Sequence, residues 1–142
     1  MQTTLKTIVR FDGTGLHTGR PAKLVLRPAP ANTGIVFRRV DISDVDNRLR
    51  ATWDHVVLSP LNTRLTNAAG VMVSTIEHLM AALSGTGVHN ALIDIDGPEV
   101  PIMDGSAAAF VRGIVEGGLM RHAAPLRAIE ILRDVSVVDG LA

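Results

Sequence analysis

Glu77 and His78 stand side by side near the start of STIEHLMAAL, residues 74–83, and are the pair best suited to do chemistry. Two readings are open for them. In one, Ser74-x-x-Glu77 is a capping box, where serine and glutamate each satisfy a free backbone N–H, and His78 is an ordinary helix residue. In the other, His78 ligates zinc and Glu77 is the base that takes a proton from the metal's water. A catalytic zinc takes three protein ligands and keeps one open position, and it lowers the pKa of its water to roughly 7. The pattern is not HExxH, because Ala82 stands four residues beyond His78. This helix therefore supplies at most one ligand.

The other histidines are His17, His55, His89 and His122. His17 lies in GTGLHTG, residues 13–19, a glycine-framed turn where backbone can approach another group closely. His55 beside Trp53 reads as packing, His89 as a connecting loop, and His122 as solvated loop. No two of them have tight ligand spacing. GTGLHTG is a weak phosphate loop, since a strand follows it instead of a helix N-terminus. In PEVPIMDGSAAAF, residues 98–110, Asp104, Gly105 and Ser106 form a turn into a helix that Ser106 caps.

The bulk properties narrow the classes. A chain of 142 residues makes one domain with a real core. Net charge is zero, and the chain has three Phe, one Trp and no Tyr, so neither a polyanion surface nor a base-stacking platform is expected. The arginines at 38, 39, 48 and 50 read as solvated. Cysteine is absent, which excludes thiolate metal sites and fits a reducing compartment. No apolar run is long enough to span a membrane and no leader stands at the N-terminus, so a cytoplasmic location is expected.

Periodicity places the elements. Strands are expected where apolar and polar residues alternate over 5–10, and at 23–27, 35–40, 56–58, 61–66, 71–73 and 91–96, with 41–50 as polar loop. Helix one begins at Ser74, carries Ile76, Leu79, Met80 and Leu83 on one face, and ends at Gly85 and Gly87. Helix two shows Phe110, Val111, Ile114 and Val115 on one face and stops at Gly117 and Gly118. Residues 129–138 look extended. This pattern predicts an α+β fold, a two-layer sandwich of mainly antiparallel sheet with two helices packed on one face.

The strings GTGLHTG, LRPAPANTGIVFRR and STIEHLMAALSGTGVHNALIDIDGPEVPIMDGSAAAF, in this order and spacing, resemble the first half of the UDP-3-O-acyl-N-acetylglucosamine deacetylase family. The resemblance covers residues 5–138 and implies a zinc-dependent hydrolase of lipid A synthesis in Gram-negative bacteria. It implies two α+β domains of similar topology with their helices facing inward. It makes His78 a zinc ligand and Glu77 the catalytic base. The other ligands, a histidine and an aspartate, and a further histidine come from the second half. Leu61, Asn62 and Thr63 match a stretch bordering the active site, so they are candidate substrate-binding residues, and His17 is left without a role. Residues 1–142 then correspond to domain I, inactive alone because one of three zinc ligands is present. The alternative is a free-standing relative that binds or regulates by homodimerising or pairing with the full enzyme. With no second domain over it, the helix face is expected to bury itself in a two-fold homodimer.

Overall fold

The computed structural model describes residues 1–138. Alternation builds its main sheet. Val9 and Phe11 in β2 (Val9–Thr14) face the same side as Leu24 and Leu26 in β3 (Pro21–Pro28), because the hairpin register pairs Val9 with Leu26 and Phe11 with Leu24. Leu24 and Leu26 in turn lie beside Ile95 and Ile93 of β9 (Ala91–Ile95). Ile93 pairs with Phe37 of β4 (Ile35–Arg39), and Phe37 with Leu49 of β5 (Arg48–Arg50). One apolar row therefore crosses a five-stranded sheet of order β2-β3-β9-β4-β5, antiparallel except for β4 against β9. All eight of these side chains are buried.

The opposite face of the sheet carries Asp94 between two arginines. Arg27 Nε donates to its Oδ2 at 2.6 Å, and Arg38 donates from Nε and Nη2 at 2.7 and 2.9 Å. Burial pushes the Asp94 carboxyl up, but these bonds from Arg38 and Arg27 outweigh it and hold the group below its usual range. Arg39, expected in solvent, is buried and makes a two-pronged pair with Asp41 at 2.7 and 2.8 Å.

Helices α1 (Glu77–Thr86) and α2 (Ala108–Gly117) lie on the apolar face and pack on each other. Phe110 meets Phe11 edge to face at 5.0 Å between ring centres. Such a pair adds roughly 0.5–1.5 kcal/mol beyond its buried area. Gly113 and Gly117, one turn apart, let α2 descend onto β2. A Cβ on Gly113 would stand 2.7 Å from Phe11 Cζ, and one on Gly117 2.6 Å from Val9 Cγ2. Gly87, at φ 75°, closes α1 in the left-handed conformation.

A second sheet joins β6 (Val56–Val57), β7 (Arg64–Thr66) and β8 (Met72–Ser74), and β1 (Thr3–Leu5) pairs with β10 (Leu119–Arg121). Leu65 and Val73 of the second sheet enter the same core as the helices. The α+β sandwich with its helices on one face is thus the observed fold. No helix among the described residues is long and apolar enough to cross a membrane.

Several local expectations need correction. Of the eight residues on the two helix faces, Ile76, Leu79, Leu83, Phe110 and Ile114 are buried, and Met80 and Val111 are packed against that core. Only Val115 is exposed, so the uncovered apolar face on which the homodimer expectation rested is closed by the chain's own sheets. β5 lies inside the expected polar loop, because Leu49 turns inward between two exposed arginines. Residues 5–10 are not one strand: β1 ends at Leu5 and β2 begins at Val9. Residues 129–138 join no sheet, and Ile129, Ile131, Val135 and Val137 are exposed.

Candidate active site

The Glu77–His78 pair is placed by the junction from β8 into α1. Ser74 is still strand. Its N–H donates to Pro98 O at 2.9 Å, its Oγ donates to the same oxygen at 3.1 Å, and Val100 N–H returns to Ser74 O at 3.1 Å. Thr75 then takes φ 57°, the left-handed region, which costs a side chain with a Cβ roughly 1–2 kcal/mol. That single residue turns the chain from strand to helix, and α1 starts at Glu77 with no side-chain cap. The capping box therefore does not form. Ser74 is spent on Pro98, and Glu77 reaches across to a neighbouring loop instead of back along its own turn. Its Oε2 accepts Thr63 N–H at 3.0 Å, while Oε1 takes no protein hydrogen bond among the described residues. A carboxylate in the first turn also sits favourably at the positive end of the helix dipole.

Beside this junction lies a residue the spacing argument passed over. Glu99 is 1% exposed. It accepts His17 N–H at 3.0 and 3.2 Å, Thr18 N–H at 2.8 Å, His17 Nδ1–H at 2.8 Å and the Thr75 hydroxyl at 2.8 Å. Burial pushes its carboxyl up, yet the donors from His17 and Thr18 outweigh burial and bring the pKa down to about 2. Gly15 makes room for it, since a Cβ there would overlap Glu99 Oε2. Of the glycines of GTGLHTG, Gly15 thus serves a close approach to a carboxylate of the chain itself. The sequence signal was a glutamate between Pro98 and Pro101 beside an apolar strand, a place where a charge must find partners.

With Nδ1 given to Glu99, the His17 ring is fixed and its Nε2 is the nitrogen left for another partner. Asn62 lies 3.3 Å from the ring, and its Oδ1 accepts from Ser59 Oγ at 2.8 Å. His17, Leu61 and Asn62 line a cleft of about 220 Å³, together with Arg64 and Ser74. Leu61 is 77% exposed at its mouth. The structure therefore brings Leu61, Asn62 and Thr63 together with His17 and, through Thr63, with Glu77. His78, half-buried on α1, makes no side-chain hydrogen bond to the described residues.

The remaining histidines are structural. His89 Nδ1 accepts Thr3 N–H at 3.1 Å and anchors β1. His122, expected in solvent, donates from Nε2 to Ala29 O at 3.1 Å. His55 contacts Thr52 and Asp54 instead of packing on Trp53, which is 88% exposed. Among the described residues, no three His, Asp or Glu side chains form a metal-holding group. The donor set fits zinc only in part: His78 is an apt ligand beside an apt base, but these residues alone do not complete a centre.

The model of the family described as LpxC, UDP-3-O-acyl N-acetylglycosamine deacetylase, matches residues 2–142. The chain belongs to this deacetylase family. It is 52% identical over 139 residues to the UDP-3-O-acyl-N-acetylglucosamine deacetylase of Phenylobacterium zucineum, covering 98% of this chain and 47% of that protein. It is 49% identical over 140 residues to the enzyme of the same name from Vibrio cholerae, and 51% over 142 residues to that of a Geobacter species. Each of these two alignments covers 98% of this chain and 45% of the relative. The chain spans about half the length of the curated deacetylases it matches.

Proposed function

We propose that residues 1–142 are one domain of a zinc-dependent deacetylase that removes the N-acetyl group of UDP-3-O-acyl-N-acetylglucosamine, a step of lipid A synthesis in the cytoplasm. Family membership and the relatives' names support the substrate. The observation that carries the chemistry is the placement of Glu77: one carboxylate oxygen is fixed by Thr63 N–H and the other meets no protein donor among the described residues. His78, the next residue, offers one imidazole ligand, and the remaining ligands come from outside the described residues. When bound, zinc supplies Lewis acidity toward the amide carbonyl and toward water.

The chain's own residues do the rest. Glu77 accepts a proton on Oε1, while Oε2 stays with Thr63 and keeps the carboxylate aimed. Leu61 and Asn62, which precede the Thr63 that holds Glu77, contact the substrate beside it. Amide hydrolysis adds water across the C–N bond, releasing acetate and the free amine, so one proton must reach the leaving nitrogen. Glu77, having accepted a proton, can return it.

The test pairs this chain with the separately produced second half of a relative and measures acetate release with and without zinc. Turnover is expected in the pair. Glu77→Gln should lower it by about a hundredfold or more, as loss of a general base does. His78→Ala should abolish bound zinc. If every pairing that forms a stable complex lacks zinc-dependent turnover, the assignment is wrong.

A further inference from the structure

We propose that Glu99 is a positioning residue: it holds Thr75 in the left-handed conformation and so fixes where α1 begins and where Glu77 points. This rests on the reading that Glu77 and His78 carry the chemistry. A backbone at φ 57° ordinarily takes glycine or asparagine. Threonine occupies it here, and what threonine adds is a hydroxyl. That hydroxyl is 2.8 Å from Glu99 Oε1, inside a residue only 2% exposed, where water cannot replace the bond. The same carboxylate clamps the loop before β3 through the backbone of His17 and Thr18. Glu99 itself is held in place by its parallel bridge to Ser74, in which Ser74 N–H donates to Pro98 O and Val100 N–H donates to Ser74 O.

The consequence runs through three links. Thr75 sets the angle at which the chain leaves β8. That angle sets the first turn of α1, where Ile76 N–H still points at Thr63 O at 3.4 Å and Ile76 O receives Met80 N–H at 2.9 Å. The first turn sets the Glu77 carboxylate on Thr63 N–H. Without the Glu99 bond, the strain at Thr75 is released by straightening the junction, and Glu77 leaves Thr63.

Amide hydrogen exchange on the full chain tests this without needing turnover. Glu99→Gln and Thr75→Val should each speed exchange at the Thr63 and Met80 amides by about tenfold or more beyond any change at the amides of β9, which report the loss of global stability. Thr75→Ser, which keeps the hydroxyl, should behave as the parent chain does. Thr75→Gly, which adopts φ 57° without strain, should restore protection in the Glu99→Gln background. A purely structural role for Glu99 would not be rescued by that second substitution. If Glu99→Gln does not fold, the contrast between Thr75→Val and Thr75→Ser carries the same comparison. Unchanged protection at Thr63 and Met80 in Thr75→Val, or no recovery from Thr75→Gly in a folded Glu99→Gln chain, overturns the proposal. A deacetylase that tolerates Glu77→Gln would instead remove the assignment of Glu77 and leave the positioning result standing.

Discussion

Replacing Glu99 by glutamine keeps its shape and removes its charge, and the structure sets the size of the effect. The carboxyl ionises near 2 in the folded chain, against 4.5 in its absence of structure. At roughly 1.36 kcal/mol per pH unit, that difference is worth about 3 kcal/mol. Because the group is 1% exposed, little of this is lost to solvent screening. The sign follows from the depressed folded value. The stabilisation is fully present above pH 4.5 and is lost progressively as pH falls from 4.5 toward 2. Glutamine offers an amide NH2 where a carboxylate oxygen met the Thr18 and His17 donors, so it forfeits the charge at every pH. Urea unfolding of both proteins should show a gap of about 3 kcal/mol at pH 7 that narrows below pH 4.5 and nearly closes by pH 2. Asp94 and Asp41, whose carboxyls are also depressed, titrate in both proteins and cancel in the difference. A gap that stays constant from pH 7 to pH 3 would refute the argument, because it would mean the donors hold the protonated carboxyl equally well.

Two glycines in helices should respond in opposite directions to alanine. Gly113→Ala places a Cβ 2.7 Å from the ring of Phe11, which cannot swing away from Phe110, so overpacking of about 1–3 kcal/mol should exceed the helix-propensity gain of about 1 kcal/mol and lower Tm. Gly85→Ala on α1 meets nothing within 4 Å and should raise stability by about 0.5–1 kcal/mol; a lower Tm there would contradict the helix packing. Asp94→Asn strips the charge that pairs Arg27 and Arg38. Since both arginines are about one-third exposed, the loss should be about 1–3 kcal/mol by urea unfolding, less than for a fully buried pair.

The sheet was legible because its signal is local. Alternation in VRFDG and KLVLR already assigns an inner and an outer face, and the observed register joins those faces strand to strand. The helix faces were legible for the same reason, but what covers them was not. The covering residues, among them Leu65, Val73 and Ile93, are contributed by strands whose pairing the helix sequences do not encode. β5 escaped because three residues with one inward leucine carry too little pattern to separate from a loop. Residues 129–138 have the pattern of a strand and no partner among the described residues, and an extended segment without a ladder gains nothing from its alternation.

The junction at Ser74 shows why the site was only half legible. The string S-x-x-E satisfies a capping box and equally satisfies a strand end followed by a first-turn glutamate. The choice is made by partners far along the chain: Pro98 takes the Ser74 hydroxyl, Thr63 takes the Glu77 carboxylate, and Glu99 takes the Thr75 hydroxyl. A capping box would have consumed Glu77 in holding its own helix. Moving that task to Glu99 leaves a carboxylate at the head of α1 with one oxygen that meets no donor among the described residues. The strain at Thr75 is the physical counterpart of that division of labour. It is tolerated because a buried, fully hydrogen-bonded carboxylate over-determines the turn, and it is what separates the residue that holds the helix from the residue that can accept a proton.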